Sequence, residues 1–294
     1  MTHKPLNLKR ILRGFGIVLL AALGLLYLAL PIGMGIYTVL PGREVVGGLP
    51  EGFEQVKLKT DDGVRLAAWY RPPENGAAII LIHGAGASRE SLRPYAEMLA
   101  EQGYGVLALD LRGHGESEGK TNRLGWQGTR DVGAAVDFLQ GRSEVQSIGG
   151  LGLSMGGEVL LGAAGDYPEI QAIATDGATR RSTEELLALE SERPLVRNHT
   201  ARVMYATVRL LSGDAPPQPL LESMMASEST RFLLIAAGGN DLETAFNQLF
   251  ATTLGERASL WIAPQAEHTG AFHLYPDEYE RRLSDFFQSG LVGK

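Results

Sequence analysis

The stretch from Ile148 to Gly157, IGGLGLSMGG, constrains this chain more than any other. Ile148 to Leu153 reads as a short apolar strand. From Glu158 onward the pattern Val159, Leu160, Leu161, Ala163, Ala164 reads as a buried helix. Between them, Gly152-x-Ser154-x-Gly156 predicts a strand that turns sharply into a helix with a serine at the apex. In so tight a turn the positions two before and two after the serine have no room for a side chain, and glycine fills both. The serine projects into solvent, and the next backbone N–H, that of Met155, points at whatever the serine meets. A dinucleotide loop does not fit, because Gly150-x-Gly152 would need its third glycine where Met155 stands.

The flanking sequence repeats the strand-then-helix rhythm. Gln55–Thr60 and Val64–Tyr70 alternate around Asp61-Asp62-Gly63, which predicts a hairpin. Ala77–Ile82 and Gly105–Leu109 are continuous apolar runs, as expected of strands buried on both faces. Helices are expected over Ser88–Gln102 and Gly128–Gln140, and a further strand over Ile170–Thr175. After residue 230 come a strand at Phe232–Ala236, a helix around Glu243–Leu254, a strand at Leu260–Ala263 and a closing helix over Pro276–Gln288. Strands alternating with helices imply an α/β fold, a mostly parallel sheet covered on both faces. Residues 177–230 break the rhythm. Ser182-x-x-Glu185 is a capping box, Arg193–Leu211 fits a second helix and Leu220–Met225 a third, with no strand among them.

The N-terminus differs from the rest. Gly14 to Gly42 holds no charged residue, and its apolar centre is long enough to cross a bilayer, which takes about 20 residues. A cleaved signal peptide is the alternative, but no A-x-A-like site follows. Lys4, Lys9, Arg10 and Arg13 precede the run, which predicts a cytoplasmic N-terminus and an extracytoplasmic body on a single-pass anchor. Pro41–Gly52 reads as a linker. The expected division is therefore 1–42 anchor, 43–176 and 231–294 two parts of one α/β core, and 177–230 a helical insertion.

Composition narrows the chemistry. There is no cysteine, so disulfides and thiolate metal sites are excluded. The net charge is −7 although the first thirteen residues are purely cationic, and so acidic a body argues against a nucleic-acid partner. No histidine or carboxylate cluster has metal-ligand spacing. A nucleophilic serine needs a base, and the base needs a carboxylate to orient it. Two loops just past strands offer them: Gly238-Gly239-Asn240-Asp241, and Gln265-Ala266-Glu267-His268. Glu243 competes with Asp241, and His273 with His268. Asp241 is preferred because it comes first after the strand, whereas Glu243 is expected to open the next helix, where the helix dipole favours a carboxylate. His268 is preferred because it directly follows its strand.

With these residues in place, the chain from about Val56 to the C-terminus resembles the α/β-hydrolase family. His83-Gly84-Ala85-Gly86 looks like the family's oxyanion loop, and Asp110-Leu111-Arg112-Gly113-His114-Gly115-Glu116-Ser117 is similar to its D-x-R-G-x-G-x-S loop. The resemblance implies Ser154 as nucleophile, His268 as general base, Asp241 as orienting acid, and the N–H groups of Ala85 and Met155 as the oxyanion hole. It also implies that 177–230 is a lid, that no cofactor is needed, and that the substrate is a small ester or acyl compound. A peptidase or amidase of the same fold, and a non-catalytic tethered binding protein, are the alternatives. Asp110 and Arg112 are expected to pair and fix their loop, with His83 and His114 packing beside them.

Overall fold

The computed structural model describes residues 8–40, 43–189 and 195–292. Residues 1–7, 41–42, 190–194 and 293–294, and with them Lys4 and the first two linker residues, lie outside that description.

The alternating segments form a hairpin. β1 (Glu54–Lys59) and β2 (Arg65–Arg71) pair antiparallel, with Val56 opposite Ala68 and Leu58 opposite Leu66. The continuous apolar runs form the middle of the sheet. β3 (Ala77–Ile82), β4 (Gly105–Leu109) and β5 (Ser147–Leu153) are buried at every position. With β6 (Ile170–Asp176), β7 (Arg231–Ala237) and β8 (Ala258–Ala263) they complete an eight-stranded sheet. Its order is β1-β2-β4-β3-β5-β6-β7-β8, parallel from β4 to β8. Successive side chains point to opposite faces. Ile80 and Ile82 therefore join one core with Val132 and Leu160, while Ile79 and Leu81 join the other with Leu99 and Phe287.

Helices cover both faces. A long N-terminal run comprises α1 (Leu8–Gly24), a π-helical turn (Leu25–Ala29) and α2 (Leu30–Val39). In the core, α3 (Arg93–Glu101), α4 (Gly128–Gln140) and α5 (Met155–Ala163) follow β3, β4 and β5. The expected 88–102 helix opens instead as a 3-10 turn over Arg89–Leu92, and α3 proper begins where Pro94 sits in the first turn and needs no N–H partner. Between β6 and β7 lie α6 (Thr183–Ala188), α7 (Leu195–Ser212) and α8 (Leu220–Ala226). The capping box holds: Ser182 Oγ accepts from the Glu185 N–H at 3.2 Å. α9 (Asp241–Leu254) follows β7, and after β8 come α10 (Ala271–Leu274), α11 (Pro276–Phe287) and a π turn at Gln288–Val292.

Two details depart from expectation. Asp110 does not pair with Arg112. Its carboxylate is buried, pairs with Arg89, and accepts from the N–H groups of Arg89 (2.7 Å) and Glu116 (2.8 Å). Arg112 bonds instead to the buried Asp131 and to Asp62, each at 2.8 Å. The reason is position: Asp110 directly follows a fully buried strand and points under its loop, where the buried Arg89 is the cation that reaches it. The linker, meanwhile, is pinned. Glu44 accepts from both the N–H and the hydroxyl of Ser88 at 2.8 Å.

Candidate active site

The serine turn is built by close packing. A Cβ on Gly152 would stand 2.4 Å from the Gly156 backbone, and one on Gly156 would stand 2.2 Å from the Ile82 carbonyl oxygen. Neither position tolerates a side chain, so β5 can pass straight into α5 against the end of β3. At the apex Ser154 is held at φ 51 and ψ −119. Its N–H is fixed by the Asp176 carbonyl at 2.7 Å. Among the described residues the non-glycine positions with positive φ are Ser154, Gln265 and Thr269, and the last two bracket His268. Backbone strain of this kind persists only where the surroundings over-determine it, and it concentrates at working sites.

His268 meets Ser154 across the carboxyl ends of the strands. Its Nε2 lies 2.8 Å from the serine Oγ, and its Nδ1 lies 2.7 Å from Glu243 Oε2. A Cβ on Gly177, just past β6, would stand 2.8 Å from His268 Cε1, so the ring settles onto a glycine. Glu243 is fully buried, whereas the imidazole is about half exposed (47%). The hydrogen bond to Glu243 raises the imidazole above its ordinary value of 6.5, with burial working against the rise.

The carboxylate at His268 is therefore that of Glu243, and the preference for Asp241 is corrected. Helix α9 begins at Asp241, so no loop residue remains to carry the acid. Asn240 caps the helix and accepts from the Glu243 N–H at 3.3 Å. That places Glu243 at the third helical position, the one from which a side chain folds back toward the strand end. There Oε1 accepts from the Ala237 N–H at 2.6 Å and Oε2 reaches His268. Asp241 is exposed at the first helical position. The helix-start role foreseen for Glu243 and the contact with His268 belong to the same side chain.

Ala85 lies in the turn after β3, closed by the Ala87 N–H on the Gly84 carbonyl at 3.2 Å. A Cβ on Gly84 would stand 3.5 Å from Ser154 Cβ, so this turn lies against the serine. The Met155 N–H is among the first-turn donors that a helix cannot use internally. His83 and His114 pack beside the loop, with rings 5.1 Å apart, and burial pushes both down to about 4. His83 Nε2 accepts from the Leu111 N–H at 3.1 Å. His273 sits on α10, away from these contacts.

Two buried carboxyls were not singled out from the sequence. Asp176, at the end of β6, is 1% exposed. Burial first, and then the charge of Glu243, push it up to about 7, and the fully buried Tyr279 hydroxyl is its polar neighbour. Its position just past a strand was the signal available. Glu158, in the first turn of α5, accepts from Thr179 N (3.1 Å), Thr179 Oγ1 (2.9 Å) and Arg180 N (3.0 Å), tying the start of the insertion to the serine helix. Burial raises it.

A strained serine, an imidazole and a buried carboxylate, joined in that order at the end of a parallel sheet, define a hydrolase-type site. Residues 73–229 match the Hydrolase_4 family, described as serine aminopeptidase, S33, and the chain belongs to it. It is 26% identical over 264 residues to the uncharacterized protein YfhR of Escherichia coli, covering 85% of this chain and 86% of that one. A shorter match, 31% over 133 residues, spans 45% of YfhR of Salmonella typhi. The thiohydrolase aneE of Aspergillus aculeatus is 29% identical over 180 residues, which is 59% of this chain and 55% of that one. Among solved structures, the Pyrococcus furiosus esterase Pf2001 superposes with a TM-score of 0.70 at 24% identity, covering 86% of this chain and 98% of that one. The fold is that of the α/β hydrolases, with one long apolar helix added at the N-terminus.

Proposed function

We propose that the protein is a membrane-anchored serine hydrolase that cleaves ester-type bonds through an acyl-enzyme on Ser154. The carrying observation is the Glu243–His268–Ser154 chain of contacts, 2.7 and 2.8 Å long, at a strained turn. In this reading His268 Nε2 takes the hydroxyl proton as Ser154 Oγ bonds to the carbonyl carbon. The resulting oxyanion sits between the N–H groups of Ala85 and Met155. His268 then hands the proton to the leaving oxygen as the old C–O bond breaks. Water, deprotonated by His268, releases the acid and restores the hydroxyl. Glu243 holds the imidazole with Nδ1 protonated and stabilises its charged form. Each oxyanion donor is worth about 3–4 kcal/mol in comparable sites.

Residues 14–40 are the anchor in this reading and place the body outside the cytoplasm. The support is a 31-residue helix, Lys9–Val39, apolar enough to cross a bilayer, with its cations confined to its first turns. The helices of 177–230 are read as a lid. Of its own side chains, Leu186 and Met224 are buried, while Leu210 stands 83% exposed.

A fluorophosphonate should label the wild type and leave Ser154→Ala unlabelled, and equal labelling would end the assignment. The family description favours a second reading, an aminopeptidase. Aminoacyl nitroanilides set against p-nitrophenyl esters decide between them. Faster turnover of the nitroanilides would move the activity to amide bonds.

A further inference from the structure

The N-terminal helix does not stand apart from the catalytic body. It runs alongside α7 in the same direction. His199 Nε2 donates to the Tyr27 carbonyl at 2.9 Å, and eight residues further along both helices Gly35 meets Thr207. A Cβ on Gly35 would stand 2.6 Å from Thr207 Cβ, so the contact is as close as helices come. The far end of the helix is tied by Arg123. Its N–H donates to the Thr38 carbonyl at 3.1 Å and its Nη1 to the Tyr37 carbonyl at 2.9 Å, with the guanidinium 4.1 Å from the Tyr37 ring centre.

Beside this contact runs an apolar groove of about 700 Å³. Its walls are one stripe of the helix, including Leu26, Leu30, Gly33 and Tyr37, and Met204 of α7. At its upper end is Arg123, which also lies over Gly86: a Cβ there would stand 3.4 Å from Arg123 Nε. Gly86 is two residues from Gly84, which touches Ser154. Arg123 thus bridges the end of the groove and the turn that flanks the serine.

The helix of 31 residues is roughly 46 Å long at 1.5 Å per residue, against a hydrocarbon core of roughly 30 Å. With Arg13 as the last cation before the uncharged run, about 20 residues take the core to the neighbourhood of residue 33. The groove therefore begins inside the far leaflet and ends above it. A groove open to hydrocarbon fills with hydrocarbon. A second helix fits it poorly, because close helix packing in membranes uses small residues, and Gly35 already holds α7 while Leu26, Leu30 and Met34 crowd the floor.

We infer that this groove carries the aliphatic chain of a membrane-resident acyl ester from the outer leaflet to Ser154, so that the substrate is taken from the bilayer rather than from water. The inference rests on the anchored-esterase reading above and names its substrate class. The test uses the full chain in phosphatidylcholine vesicles, with p-nitrophenyl palmitate and p-nitrophenyl acetate as probes. A Cβ on Gly33 or on Gly24 meets nothing within 4 Å, so both positions accept a larger residue, but only Gly33 lines the groove. Gly33→Trp should lower the palmitate-to-acetate ratio of kcat/KM by about tenfold or more, and Gly24→Trp should leave that ratio unchanged. An unchanged ratio in Gly33→Trp, or an equal fall in Gly24→Trp, would overturn the inference. The chain has no cysteine, so Gly33→Cys can be crosslinked cleanly. Efficient coupling of two copies there would give the groove to a second helix and likewise overturn it. Failure of the underlying reading would appear elsewhere, in the wild type: no acetate hydrolysis, or release from vesicles by alkaline carbonate.

Discussion

Two strand-to-helix crossings at the same end of the sheet supply two of the three groups at the site, and they are built by opposite means. From β5 to α5 the crossing is steric. Gly152 and Gly156 are there because backbone occupies the space a side chain would need, and Ser154 is left in a conformation that side chains avoid. From β7 to α9 the crossing is polar. Asn240 and Glu243 satisfy each other and the free N–H groups of the helix start, and the carboxylate is delivered to His268 by that capping geometry. A steric turn has few sequence solutions, whereas a polar one has many. The first crossing was therefore readable in advance and the second was misread by two residues.

The largest test of this contrast is Gly156→Ala. Its methyl group would fall 2.2 Å from the Ile82 oxygen, which is backbone and cannot step aside. Folding should fail, or stability should drop by more than about 4 kcal/mol, as read by urea denaturation. A stable, active alanine variant would show that the turn is not sterically determined.

Next in size is the acid. Glu243→Gln should lower kcat by about a thousandfold or more with the fold intact, since an amide cannot hold the protonated imidazole, while Asp241→Asn should change it by less than about threefold. Reversed magnitudes would return the role to Asp241.

A smaller effect concerns pH. Because Glu243 raises His268 above 6.5, the basic form needed to accept the serine proton is lost at a higher pH than for a free histidine. The acid limb of kcat/KM should have its midpoint above 6.5. In the residual activity of Glu243→Gln that midpoint should move down. A midpoint below 6.5 in the wild type would contradict the contact.

The smallest effect belongs to Asp176. Its carboxyl is raised from 3.8 to about 7 by burial, so between those values the folded chain holds a proton that the unfolded chain has lost. Stability from this group is present below about pH 4 and declines as pH rises through 7. Asp176→Asn should flatten that decline, measured as urea midpoints at pH 5 and pH 8. An equal slope in the variant would mean the carboxyl ionises freely.

What could be read in advance follows the same division. The hairpin, the buried strands and the parallel order were legible because apolar periodicity is local and redundant: Ala77–Ile82 admits little but a central strand. Ser154 and His268 were legible as candidates because each follows such a strand. Choices among polar partners were not. Asp110 takes Arg89, twenty-one residues back, over Arg112 two residues on, because burial selects the partner and burial is not written in spacing. The N-terminal apolar run was legible as a helix, but its contact with α7 depends on Gly35 meeting Thr207 across most of the chain.

The C-terminal turn at Gln288–Val292 has a consequence in time. It lies beneath the serine strand: Ser147 Oγ donates to the Leu291 carbonyl at 3.1 Å, and Leu291 occupies the space over Gly149. Ser154, Glu243 and His268 follow β5, β7 and β8, and the support under β5 comes from residues about twenty positions beyond His268. A ribosome that has just added His268 has supplied all three groups while the serine strand still lacks this floor. Synthesis therefore delivers the three groups of the site before it delivers the residues on which the serine strand rests.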